Sequence, residues 1–299
     1  MSTSDVRSSS TQAYALVALA GLCWSGNHVL GRAIAGHVPP VSLSALRWVL
    51  PCIIAGILAR HHLAHDWPVI KRHWKSLAML GLTGGALFST LQYVGLQYTS
   101  AINVSVLNSL GPVFIVAAVA LMFGEMMRPI QLAGIVVSLA GVLFIVTRGE
   151  PAKLVEMSFN YGDLIILFNM AVWAVYSACL RFKPLIHWTS FMFVFALISA
   201  LGTLPFAAHE FVQGFRFQPT VMTLAAIAYV SIFPSIVAYL SWNRGVELIG
   251  PNRAGAMLHL IALYSAVLAG VFLGERLAVF HVVGFALILS GVTLAARKA

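Results

Sequence analysis

Charge is what this sequence has least of. Only 9% of its 299 residues are Asp, Glu, Lys or Arg, against about 25% in an average soluble domain. Hydrophobic residues make up 60%, and the mean hydropathy is +0.90. A single soluble core cannot hide so much apolar surface, so the expected solvent is lipid. Cysteine is scarce too. Cys23, Cys52 and Cys179 all fall in apolar stretches at no metal-ligand spacing, which argues against a disulfide framework and a zinc site. Neither a P-loop, an HExxH pair nor a G-x-S-x-G with partners is present. No catalytic residue, metal or cofactor is therefore expected, and ATP-driven pumping would need a partner subunit.

What is present is a succession of long apolar runs. A membrane-crossing helix needs about 20 mostly apolar residues, and ten such stretches fall near 13–35, 40–60, 74–97, 101–123, 129–147, 161–181, 189–208, 219–242, 252–273 and 278–296. A membrane β-barrel would alternate apolar and polar residues over shorter segments, whereas Val113 to Met122 is continuously apolar. Ala33-Ile34-Ala35 resembles a signal-peptide cleavage site, but the segment before it is Ser/Thr-rich with Asp5 cancelling Arg7. The first run reads as a retained span.

Eighteen Lys+Arg against nine Asp+Glu leave a net charge of +9, which on a soluble chain would suggest nucleic acid. Here the basic residues sort by side. Twelve lie on the N-terminal side of the ten spans; Arg32, Arg148, Lys153, Arg216 and Arg276 lie on the other, and Arg47 sits inside a span. The bias places both termini in the cytoplasm, and no nucleic acid is needed to explain the charge. The expected surroundings are membrane lipid, in the cell (inner) membrane. The Arg60 to Lys75 loop could also touch acidic lipid, although ordinary topogenesis accounts for it.

The chain repeats itself. A shift of 150 residues aligns Gly95 with Gly245, Gly124-Glu125 with Gly274-Glu275, Gly134 with Gly284 and Gly141 with Gly291; a shift of 149 puts Trp24 on Trp173. The implied organisation is a tail at 1–12, a first five-helix repeat at 13–147, a linker at 148–160 and a second repeat at 161–297. An odd number of spans per repeat inverts the second relative to the first, an architecture used for alternating access.

Trp24-Ser25-Gly26-Asn27, the run Ser100 to Glu125 ending Phe-Gly-Glu, its counterpart Gly250 to Glu275 ending Leu-Gly-Glu, and the paired glycines resemble the drug/metabolite transporter superfamily, specifically its ten-helix EamA-type carriers. The resemblance covers essentially the whole chain. It is closest to bacterial amino-acid and metabolite exporters, including the aromatic amino-acid exporters of YddG type. It implies a central cavity lined by spans 1, 3, 4, 6, 8 and 9, with spans 5 and 10 at the periphery.

All nine acids fall in tails, loops or span ends, so none is placed to carry a proton or neutralise a cation at the midplane. This departs from the small multidrug exporters of the superfamily, which keep a glutamate in their first helix. No Lys lies in a span either, unlike in the phosphate-sugar carriers. Arg47, about 10 Å below the outer end of span 2 at the helical rise, is either a snorkelling or hydrogen-bonded anchor or a gate at the outer mouth.

Helical spacing sorts the remaining polar groups. Ser231, Ser235, Tyr239 and Trp242 form one stripe on span 8, which the 150-residue shift sends to Gly81, Gly85, Ser89 and Gln92 on span 3. Asn169, Trp173 and Tyr176 share a face of span 6, and the 149-residue shift relates Trp173 and Ser177 to Trp24 and His28. These faces look inward, onto each other as interhelical glue or onto a cavity. Trp24 and Trp173 lie near mid-span, where an indole N–H needs a partner; Trp242 and Tyr98, nearer span ends, could equally be interfacial belt residues. His28 and His259 are packing residues or, in a proton-coupled carrier, the available relays. Gly84, Gly85, Pro112 and Pro234 are candidate hinges, since Pro in a span frees a backbone carbonyl. The Gly134/Gly141 and Gly284/Gly291 pairs suit close helix packing.

The expected protein is thus an all-α integral membrane carrier exporting small neutral or zwitterionic metabolites, amino acids with aromatic side chains foremost. The candidate solute contacts are Trp24, His28, Ser89, Gln92, Asn108, Trp173, Tyr176, Tyr239, Trp242 and His259. Export of drugs or other amphipathic metabolites is the alternative, and a non-transporting membrane enzyme or scaffold a further one. Oligomeric state is not legible in the sequence.

Overall fold

The computed structural model describes residues 3–33, 39–156, 158–214, 218–274 and 278–297. Among the described residues the long helical regions are α1 (Thr3–Ala33), α2 (Pro40–Ala59), α3 (Trp74–Tyr98), α4 (Ala101–Asn108 continued by Gly111–Phe123), α5 (Pro129–Val146), α6 (Tyr161–Cys179), α7 (Trp188–Val212), α8 (Val221–Ile249), α9 (Pro251–Ala256 continued to Leu273) and α10 (Val279–Ala295). Eight of these regions, from α2 to α9, are long and apolar enough to cross a membrane; α10 is a shorter apolar helix. α1 runs 31 residues, about 46 Å at the helical rise, because its Ser-rich first third continues the helix ahead of the apolar run. No strand occurs among the described residues.

The ends are set by local chemistry. Ser100, Asn160 and Thr220 cap α4, α6 and α8 by accepting from the backbone N–H of Asn103, Asp163 and Thr223. Gly124 (φ 69°) and Gly274 (φ 70°) close α4 and α9 in the left-handed conformation that glycine adopts without strain. Three buried acids serve helix ends rather than the interior. Glu210 at the end of α7 accepts from the Val41 and Ser42 amides at the start of α2 (3.3 and 2.7 Å). Asp66, in the short helix Leu63–Arg72, accepts from the His187 amide at the start of α7 (3.0 Å). Asp163 accepts from the Asn160 amide (2.8 Å), Thr99 Oγ1 (2.5 Å) and Asn103 Nδ2 (3.0 Å). Each carboxylate thereby meets unsatisfied donors of a helix N-terminus.

Packing is matched between the two halves. α1 lies against α8 and α9, as α6 lies against α3 and α4; α2 pairs with α7, and α5 with α10. The α5–α10 seam is backbone on backbone. A Cβ on Gly134 would stand 2.5 Å from the Ala295 nitrogen, and one on Gly291 2.4 Å from the Ser138 nitrogen.

Irregular turns recur at matching places. α3 carries a π-helical turn at Gly81–Leu87 and α8 one at Phe233–Val237; a 150-residue shift superposes residues 83–87 on 233–237. α4 breaks at Ser109-Leu110, and α9 tightens into a 3₁₀ turn at Met257–His259. Spans 4 and 8 differ from the sequence expectation. Span 4 is two helical pieces, because Pro112 supplies no N–H at the start of the second. Span 8 continues seven residues past Trp242 to Ile249, its polar tail held by Glu247 to Lys183 and Arg244.

Candidate functional site

The helices converge on a cluster of aromatic rings. Trp24 of α1 meets Trp173 of α6 edge-on (ring centroids 5.3 Å), with Tyr239 and Trp242 of α8 at 5.9 and 5.7 Å. Trp173 also contacts Tyr176 (5.2 Å), Trp242 (5.4 Å) and Phe88 of α3 (4.5 Å). Trp173, Tyr176, Tyr239 and Trp242 are all buried. Aromatic pairs in such geometries contribute about 0.5–1.5 kcal/mol each beyond their area, so the rings form a coherent centre. The continuation of α8 puts Trp242 a full two turns inside, which removes the belt alternative for it; Tyr98, 57% exposed, stays at a helix end.

The two π turns frame this centre. On α8, Pro234 has no N–H to give the Val230 carbonyl, and Ser235 Oγ donates to it instead (2.8 Å). The Pro234 carbonyl accepts from Trp24 Nε1 (3.1 Å), which supplies the indole with its partner. On α3, the carbonyls of Gly81, Gly84 and Gly85 accept from Ser199, Tyr239 and Ser89 hydroxyls at 3.1, 2.5 and 2.5 Å. Gly84 lies under the Tyr176 ring, 2.4 Å from where its Cβ would be, and Gly85 under Ser199. Gly84 and Gly85 are therefore small for a packing reason as well as lying in an irregular turn.

Other predicted positions fall elsewhere. Ser89 faces α2, bonding Ser44 Oγ and Trp48 Nε1, both at 3.0 Å. Gln92 Oε1 accepts from Asn169 Nδ2 (2.9 Å). His259 joins three helices: Nε2 donates to the Ser109 carbonyl of α4 (2.8 Å) and Nδ1 accepts from Ser138 Oγ of α5 (2.6 Å). Ser109 and His259 are 150 residues apart, so this bond links repeat mates. The Asn108 side chain, next to Ser109, leaves Oδ1 buried and unpartnered among the described residues, as are Asn169 Oδ1, Ser231 Oγ and Trp242 Nε1. The side chain of His28 lies outside the described residues. No cluster of three metal-ligating side chains occurs among the described residues.

Sequence reasoning missed Trp48, Phe88 and Phe195. Trp48, 5.2 Å from Tyr239, carries the same mid-span tryptophan signal as Trp24. Phe88 and Phe195 carry none, since an apolar ring in an apolar helix gives no sign of its direction. Arg47 is almost fully buried, reaching Ser235 Oγ through Nε (3.0 Å) and Tyr93 Oη through Nη1 (3.4 Å).

At the face where α1 begins, surface ties cross between helices. Arg181 forks onto Glu125 (2.9 and 3.0 Å) over the Phe123 ring, and Tyr14 Oη donates to the Ala296 carbonyl (2.9 Å). The Arg181 hydrogen bond holds the Glu125 carboxyl below its ordinary range.

Comparison with known proteins places this architecture. The model of the EamA-like transporter family matches residues 11–147 and again residues 160–297. A protein of Archaeoglobus fulgidus named "Uncharacterized transporter" is 30% identical, over 96% of this chain and 98% of its own. A "Probable terminal-alkyne amino-acid exporter" of Streptantibioticus cattleyicolor is 29% identical over 90% of this chain and 86% of its own. The "Uncharacterized transporter YyaM" of Bacillus subtilis is 26% identical, over 89% of this chain and 87% of its own. A solved crystal structure, 22% identical, superposes with a TM-score of 0.75 over 95% of this chain and 96% of that one, which marks a shared fold.

Proposed function

The chain belongs to the EamA-like transporter family, and from that premise we propose a ten-span secondary carrier built from two inverted five-helix repeats. It exports small neutral or zwitterionic metabolites, amino acids with aromatic side chains foremost, across the cell (inner) membrane, with both termini in the cytoplasm. The observation that carries this reading is the pair of π turns at repeat-related positions on α3 and α8, either side of the ring cluster. Irregular turns at matching points of inverted halves are where alternating access needs its hinges. Gly84 and Gly85, Pro234, and Pro112 at the α4 break act there.

Trp24, Trp173, Tyr176, Tyr239 and Trp242 hold the solute's aromatic side chain by ring stacking. Asn108 and the Gln92–Asn169 pair offer polar contacts to its other end. Ser89 and His259 position helices rather than touch the solute. Transport is driven by the solute gradient: the buried acids are engaged at helix ends, and both His259 nitrogens are bonded. The amino-acid class is supported by the name of the Streptantibioticus relative and by the absence of a midplane carboxylate, which disfavours cationic drugs. The amphipathic-metabolite reading rests on the same aromatic cluster, which would also take a drug.

Proteoliposomes loaded with labelled Phe, Trp, Leu, Lys or a cationic dye decide between them. Flux of Phe and Trp above Lys is expected, unaffected by an imposed pH gradient. Dye flux without amino-acid flux would overturn the substrate class.

A further inference from the structure

We propose that Arg47 is the anion anchor of this carrier, binding the carboxylate of the transported solute. The proposal rests on the carrier reading for the existence of a solute path and adds to it the group by which the solute is held.

Arg47 is 5% exposed, inside α2. A guanidinium stays protonated at any physiological pH and offers five N–H donors in a planar fork. Two are committed, Nε to Ser235 Oγ and one Nη1 hydrogen to Tyr93 Oη at a long 3.4 Å, both to neutral hydroxyls. No acid among the described residues pairs with it. Glu210, which lies toward the same end of α2, spends its oxygens on Val41 and Ser42. A buried cation without an anion is costly within a membrane, and an arriving carboxylate removes that cost.

A second group points to the same place. Ser231 lies one turn from Ser235 on the same stripe of α8, about 6 Å along the helix, and its hydroxyl is buried without a partner among the described residues. Arg47 has spare N–H donors, and Ser231, on the helix that carries its partner Ser235, has a spare O–H; donors of both kinds suit the oxygens of one carboxylate.

Packing alone does not call for the cation. A shift of 148 to 150 residues sends position 47 to Phe195, Ala196 or Leu197 on α7, where the equivalent helix packs with apolar residues. The site is also next to the aromatic centre. Ser235 belongs to the π turn whose Pro234 carbonyl holds Trp24, and Trp48, whose ring lies 5.4 Å from the Arg47 guanidinium, contacts Tyr239. A carboxylate on Arg47 therefore leaves an attached side chain beside the rings.

The test compares an acid with its amide. In proteoliposomes carrying the full chain, L-phenylalanine is expected to move at least about tenfold faster than L-phenylalanine amide, the scale of a charge-assisted contact. In Arg47→Gln the ratio should fall to within about twofold, and Arg47→Lys should recover part of it, because the charge returns without the fork. Ser231→Ala should lower the ratio about threefold, a readout available even if Arg47→Gln does not fold. Equal flux of acid and amide in the wild-type protein, or an unchanged ratio in Arg47→Gln, would overturn the proposal. Thermal melting of the purified protein with 3-phenylpropionate and 3-phenylpropionamide separates the two readings. If no amino acid moves but the acid alone raises the melting temperature, and only with Arg47 present, the amino-acid reading fails and the anion site stands. If no carboxylate is moved or bound, the anchor fails.

Discussion

The π turns of α3 and α8 lie at matching positions and are made in different ways. On α8 the cause is local: Pro234 withholds an N–H, and the next residue, Ser235, answers the freed carbonyl. On α3 the cause comes from elsewhere in the chain. Gly-Leu-Thr-Gly-Gly permits the turn, but the Tyr176 ring, Ser199 and the Tyr239 hydroxyl fill the space and bond the carbonyls. The α8 turn contains a proline that causes it, and the α3 turn, without one, is packed and bonded mostly from neighbouring helices, with Ser89 of α3 itself answering the Gly85 carbonyl.

The comparison can be broken most forcefully at Gly84. In Gly84→Val the new Cβ would fall 2.4 Å from the Tyr176 ring, and overpacking of this kind costs about 1–3 kcal/mol or more. A large drop in melting temperature is expected; an unchanged melting curve would show that α3 does not depend on its neighbours.

Pro234→Ala restores the missing N–H and should let α8 straighten. Melting temperature should hold or rise while amino-acid flux falls by about tenfold, a hinge-scale effect. Full flux would make Pro234 a static kink. The smallest effect is expected from Tyr239→Phe, which keeps the ring and removes the hydroxyl donated to Gly84. A loss of about 1 kcal/mol by denaturation is expected, and a loss no smaller than that of Gly84→Val would place the hold on α3 in that hydrogen bond rather than in ring packing.

Much of this was legible in advance, for reasons particular to each residue. Trp24 and Trp173 stood out because an indole at mid-span needs a partner, and Pro234 because no regular helix accommodates it without a freed carbonyl. Ser89 was legible as an inward-facing polar group, but its partners Ser44 and Trp48 were not, because they depend on how α2 crosses α3. Trp242 sat near an expected span end only because the polar tail of α8 was not recognised as helix. Phe88 and Phe195 gave no signal at all.

The sequence alone determined the solvent, the repeat, the apolar runs and the proline-marked irregular places of α4 and α8, because hydropathy and the absence of a proline N–H are properties of short stretches. The tertiary structure decided who answers each buried polar group. Arg47 with Ser235, His259 with Ser109, Trp24 with Pro234 and Glu210 with Ser42 each join residues at least 150 positions apart. Such pairings depend on which helix faces which, and no local pattern carries that information.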